Sequence, residues 1–97
     1  MFQATNEQIQ SWKQKHGDVF RIVVEDKACY LRKPDRKVLS YAAAAGKSDP
    51  MKVSETILKN CWLDGDEEIQ KDDAYFLGAA GKLDQMVEVK EAELEKL

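Results

Sequence analysis

The chain has few of the residues that chemistry usually requires. His16 is its one histidine, and Cys29 and Cys61 are its two cysteines. No carboxylate or thiol stands at ligand spacing from His16, which reads as a helix-end residue near the negative pole of the dipole. Two cysteines do not make a disulfide framework; they fit reduced, buried thiols of a cytoplasmic protein. No Ser/His/Asp or Cys/His set can be assembled, so the sequence predicts no catalytic residue, no cofactor and no metal. No run approaches the ~20 apolar residues of a membrane span. The polar start (Gln3, Thr5, Asn6, Glu7) does not read as a signal peptide, so a cytoplasmic location is expected.

Glycine is sparse as well, and its positions dispose of two tempting loops. Gly46-Lys47-Ser48 has the look of the tail of a phosphate-binding loop, but Tyr41 stands where the first glycine is needed. A helical pattern also precedes it where a strand should be. Aligning Gly65 with the glycine of a calcium loop puts Trp62 at a ligand position and Lys71 in place of the closing glutamate. The acidic residues from Asp64 to Asp73 read instead as caps on helix starts.

What is present suits a small protein-binding domain. Ninety-seven residues, 43% hydrophobic and 34% charged, make a single domain over residues 1–97 with a modest core. A chain of this length buries only about 60–65% of the surface its unfolded form exposes, so help from an oligomer is expected. Residues 1–48 hold nine Lys/Arg against five Asp/Glu, whereas residues 49–97 hold six against thirteen. The acidic second half argues against a phosphate-binding face there.

Read in order, the pattern predicts an α+β fold, a β-hairpin packed against a small helical bundle, in the order α-β-β-α-α-α. Residues 1–17 form the N-terminal helix, 18–34 the hairpin and 35–97 the helical part. Thr5 and Gln8 have capping-box spacing, Ile9, Trp12 and His16 share a helical face, and Gly17 closes the helix. Val19 to Glu25 and Ala28 to Lys33 read as strands joined at Asp26-Lys27. The simple register sets Val24 opposite Cys29, Ile22 opposite Leu31 and Phe20 opposite Lys33. One face then carries Phe20, Ile22, Val24, Cys29 and Leu31. The other carries Arg21, Val23, Glu25, Ala28, Tyr30 and Arg32, with Arg21 opposite Arg32. Both hairpin edges are expected to be open, so edge-to-edge pairing with another subunit is possible. Pro34 opens a helix over Asp35–Ala45, with Val38, Leu39, Ala42 and Ala45 inward. Asp49-Pro50 starts a further helix to Trp62, Leu63 to Asp66 is a turn, and Glu67 to Lys71 is a short helical piece.

Asp73 to Leu97 reads as one long helix capped by Asp72-Asp73. Phe76, Ala80, Leu83, Val87, Lys90, Leu94 and Leu97 step by four and three residues, the period of a helical stripe and of a coiled-coil seam. Gly78 and Gly81 weaken it by about 1 kcal/mol each relative to alanine. With Ala79 and Ala80 they allow close approach by the hairpin. Met86, Val87 and Leu94 are the candidate client-binding residues, and Val23 and Tyr30 the candidate self-association residues. Arg32, Lys33, Arg36 and Lys37 form the one basic cluster, which gives an alternative reading as a small regulator touching nucleic acid. The acidity of the whole chain argues against that alternative.

Three stretches carry a resemblance. They are Ala28-Cys29-Tyr30-Leu31-Arg32-Lys33-Pro34-Asp35-Arg36, then Asp49-Pro50, then Asn60-Cys61-Trp62-Leu63 leading to Gly65-Asp66-Glu67-Glu68. With the acidic late segment they resemble the small tail-assembly chaperone proteins of phage and prophage tail gene clusters. The resemblance implies a mostly helical, non-catalytic, homo-oligomeric protein. It implies a partner too, a helical client of the tape-measure type bound before tail assembly. Apart from the resemblance, the acidity of the chain argues against nucleic acid as a partner, and the lack of a long apolar run against a membrane.

Overall fold

A computed structural model describes residues 1–97. Its elements are α1 (Asn6–His16), β1 (Val19–Val24), β2 (Lys27–Arg32), α2 (Arg36–Ala45), α3 (Met51–Cys61), β3 (Trp62–Gly65), α4 (Glu68–Lys71) and α5 (Asp73–Ala80). A 3₁₀ turn over Leu83–Met86 follows α5. The fold is α+β, as the pattern implies, and it contains a strand that the pattern did not reveal.

β2 is the middle of a three-stranded antiparallel sheet in the order β1-β2-β3. Ala28, Cys29, Tyr30 and Leu31 are all buried, so β2 is covered on both faces. Successive strand side chains point to opposite faces. Cys29 and Leu31 therefore join Ile22 in the main core, with Val38, Ala42, Ile57, Leu58, Cys61, Ile69, Ala79, Leu83 and Met86. Ala28 and Tyr30 point the other way, beneath the N-terminal segment. There the Tyr30 ring meets Phe2 edge-on at 5.9 Å and Trp12 at 5.6 Å. The Ala4 N–H donates to Tyr30 Oη at 3.3 Å.

The strand faces are as the alternation predicts, but the register is two residues away from the simple one. Val24 lies opposite Lys27, Ile22 opposite Cys29 and Phe20 opposite Leu31. A shift of two leaves every side chain on its expected face, because the strand period is two. The loop is Glu25-Asp26, and Glu25 takes a φ of 54°, the positive value that a primed hairpin turn needs at its first central position. Arg21 consequently faces Tyr30, and Arg32 faces Val19, so the expected clash of the two arginines does not arise.

Residues 62–65 are not a turn. They form β3, whose pairing with β2 sets Gly65 against Cys29 and Asp64 against Tyr30. Only one hairpin edge is therefore open. Asp66 completes this side, donating its N–H to the Ala28 carbonyl at 2.9 Å. Its Oδ2 accepts the N–H groups of Phe2 at 2.8 Å and Ala28 at 2.9 Å.

The helix starts follow their local signals. Thr5 and Gln8 form a reciprocal capping box, and the carboxylates of Asp35, Asp49 and Asp72 accept from the first-turn N–H groups of the helices after them. The long late helix is the main correction. α5 ends at Ala80, and residues 87–97 belong to no helix or strand. Gly78 lies against Val24, where a Cβ would come within 2.8 Å of Cγ1, so α5 does use its small residues to approach the hairpin. After Gly81 the chain turns, and the 3₁₀ turn places Leu83 and Met86 in the core at 2% and 3% exposure. Beyond them nothing packs closely enough to support a helix, and isolated helices below about 12–15 residues are marginal in water.

Candidate functional site

The sequence points to three groups of residues, and the fold treats them very differently. In the self-association pair, Val23 is 45% exposed at the free edge of the sheet, whereas Tyr30 is 4% exposed under Phe2 and Trp12. The outer sheet face is thus occupied by the protein's own N-terminal segment. The alternation identified the face of Tyr30; it carried no signal that residues 1–12 would cover it.

In the client-binding trio, Met86 is a core residue, Val87 is half-buried and Leu94 is fully exposed. The three share a sequence stripe without sharing a surface. Exposed apolar side chains of the same segment extend the set to Val89 at 82% and Leu97 at 106%. Val89 lies off the helical stripe and was missed for that reason. The segment is fastened at its start by Glu88, whose carboxylate accepts from Lys33 Nζ at 3.1 Å. The radius of gyration is 15.0 Å, against about 12.5 Å for a compact domain of this length. Residues 89–97 are exposed throughout.

The basic cluster is divided. Arg32 donates to the Asn60 carbonyl at 3.3 Å and pairs with Asp35 at 3.6 Å. Lys33 pairs with Glu88 and, at 3.6 Å, with Asp18, and the Glu88 hydrogen bond holds its ammonium above the ordinary lysine range. Arg36 and Lys37 remain on the solvent side of α2, with Lys37 Nζ 5.9 Å from the Tyr41 ring centre. Of the four clustered cations, two thus serve the fold and two face water.

Both thiols are fully buried, and burial pushes Cys29 up to about 12 and raises Cys61 as well. No group of three or more His, Cys, Asp or Glu side chains is placed to hold a metal ion. No helix is long and apolar enough to cross a membrane. Two grooves lined by both apolar and charged side chains were not foreseen. A groove of about 280 Å³ runs between α3 and α5, lined by Met51, Glu55, Asp73, Phe76 and Leu77. Another, of about 350 Å³, lies under the free edge of β1 beside Lys82, Gln85 and Met86. No family model, no curated protein and no solved structure matches the chain.

Proposed function

We propose that this chain is a non-catalytic, cytoplasmic protein-binding module of the tail-assembly chaperone type, and that residues 87–97 engage a helical client of the tape-measure kind. One observation supports the reading above others. Val89, Leu94 and Leu97 are almost wholly in water within a segment that packs on nothing beyond Glu88. The segment is rich in Glu, Lys, Ala and Leu, which are strong helix formers, and Val87, Leu94 and Leu97 share one helical face. A client that covers that face supplies the packing the segment lacks, so binding and helix formation are coupled.

The magnitudes make this a weak contact for a single copy. Burying two leucines contributes about 3–6 kcal/mol, while ordering a short segment costs about 2–5 kcal/mol. Several copies joined together would gain by avidity. The alternative, a nucleic-acid-touching regulator, has less support, because Arg32 and Lys33 are engaged within the fold and Arg36 and Lys37 are left alone.

The test is co-expression with a helical fragment of a tape-measure protein. Leu94→Asp combined with Leu97→Asp should leave thermal stability unchanged, since both side chains are exposed, and should abolish the client's gain in solubility. Equal client solubility with and without the double substitution would sink the reading.

A further inference from the structure

β1 carries the features of a pairing edge and, apart from the charge of Arg21, none of the usual protections. It is six residues long, Val19-Phe20-Arg21-Ile22-Val23-Val24, mostly β-branched or aromatic, with no proline or glycine. Its pairing with β2 is regular throughout; the one irregularity in the sheet lies between β2 and β3. Natural edges are usually blunted by lysine, proline, a bulge or shortness, and β3, at four residues with Asp64 and Gly65, fits that habit. β1 does not.

The ladder says which groups are free. The Lys33 N–H bonds the Asp18 carbonyl, and the Asp66 N–H bonds the Ala28 carbonyl. In an antiparallel pair the bonded residues alternate. Phe20, Ile22 and Val24 therefore bond inward to β2, and the main-chain groups of Val19, Arg21 and Val23 point outward with no protein partner. Beside this edge is the groove lined by Phe20, Arg21, Ile22 and Val23 of β1 together with Lys82, Gln85 and Met86.

We propose that β1 pairs antiparallel with β1 of a second copy, across a twofold axis at Ile22, to make one continuous six-stranded sheet. Outward residues must meet outward residues, which leaves few symmetric registers. Centring on Arg21 sets two arginines directly opposite, an unfavourable pair. Centring on Ile22 sets Arg21 opposite the partner's Val23 and diagonal to the partner's Glu25, of opposite charge. It also sets Ile22 against the partner's Ile22, and Phe20 against the partner's Val24, on the core side. Four main-chain hydrogen bonds form at Arg21 and Val23 of both copies. The pairing stands apart from the client reading, since it uses nothing beyond Met86.

Charge placement at one exposed position tests it. Val23→Lys puts a second cation beside the partner's Arg21 at two symmetric places, and the dimer dissociation constant should rise roughly two- to thirtyfold. Val23→Glu should lower it by a similar factor, and adding Arg21→Glu to Val23→Lys should restore wild-type association. That rescue is specific to the register, because a sheet centred on Arg21 would merely replace facing arginines with facing glutamates. Sedimentation velocity over a concentration series reads the constant, and circular dichroism checks that each variant is folded. A wild-type monomer at several hundred micromolar, or the same constant for the lysine and glutamate variants, overturns the proposal.

Discussion

Replacing Gly65 by alanine tests the third strand, the element on which the sheet's far side depends. A Cβ built at Gly65 would stand 2.6 Å from both Cα and Cβ of Cys29 and 2.8 Å from the Ala28 carbonyl oxygen. These are backbone and near-backbone atoms of the central strand, so no flexible side chain can swing aside. Reaching ordinary contact would require β3 to move by roughly 0.8 Å. Overpacking of this kind costs about 1–3 kcal/mol, and a rigid neighbour places Gly65→Ala at the upper end. Against the roughly 5–15 kcal/mol that holds a small protein together, that is a large loss, and about 10–20 °C in Tm. Gly81→Ala is the comparison. Its φ is −65° and the nearest atom to an added Cβ is 3.7 Å away, so it should stabilise by about 0.4–1 kcal/mol. Calorimetry of the two variants settles the point, with amide exchange at Ala28 reporting whether β3 has lifted. A Gly65→Ala protein that melts within a degree or two of the parent would refute the close approach of β3 to β2.

Two further outcomes follow from the buried and tethered groups. The N–H groups of Phe2 and Ala28 hold the Asp66 carboxyl below its ordinary value of 3.8. A depressed folded pKa means stability present above the unfolded value and lost as pH falls through the folded one. Asp66→Asn should therefore be the less stable protein at pH 7, and the gap should narrow below about pH 3.8, where the parent loses its own advantage; melts from pH 7 to 2 would show a constant gap if Asp66 were idle. The thiols should be silent in the native state, since Cys29 is pushed up to about 12 and both cysteines are fully buried. A disulfide reagent at pH 8 should find no reactive thiol until denaturant is added and both thiols once it is, and prompt labelling of the native protein would contradict the packing.

Local signals were legible because their causes are local. The Thr5/Gln8 box and the carboxylates of Asp35, Asp49 and Asp72 satisfy N–H groups two or three residues away, so sequence spacing alone locates them. The hairpin faces were legible because alternation does not depend on register. β3 was hidden for the opposite reason. Trp62-Leu63-Asp64-Gly65 has neither alternation nor length, and two of its four residues usually mark turns. It is a strand because β2 has an edge to satisfy, and Gly65 is small enough to lie against Cys29. That requirement sits more than thirty positions away in sequence.

Leu83, Met86, Leu94 and Leu97 show why the late stretch misled. All fit a helical reading, yet the first two are core and the last two are in water. Periodicity states which side chains would lie together if a helix formed. Whether it forms depends on packing, because nucleation is costly and a short helix gains little alone. The chain leaves α5 after Ala80, and the 3₁₀ turn delivers Leu83 and Met86 to the core. Past Glu88 the chain continues with helix-forming residues, all exposed, and no surface to lean on. The stripe is thus real as a pattern, used by the core as far as Leu83 and unused within one copy past Glu88. A partner that covers it would turn the same residues from exposed chain into a helix face, which ties the segment's exposure to its proposed use.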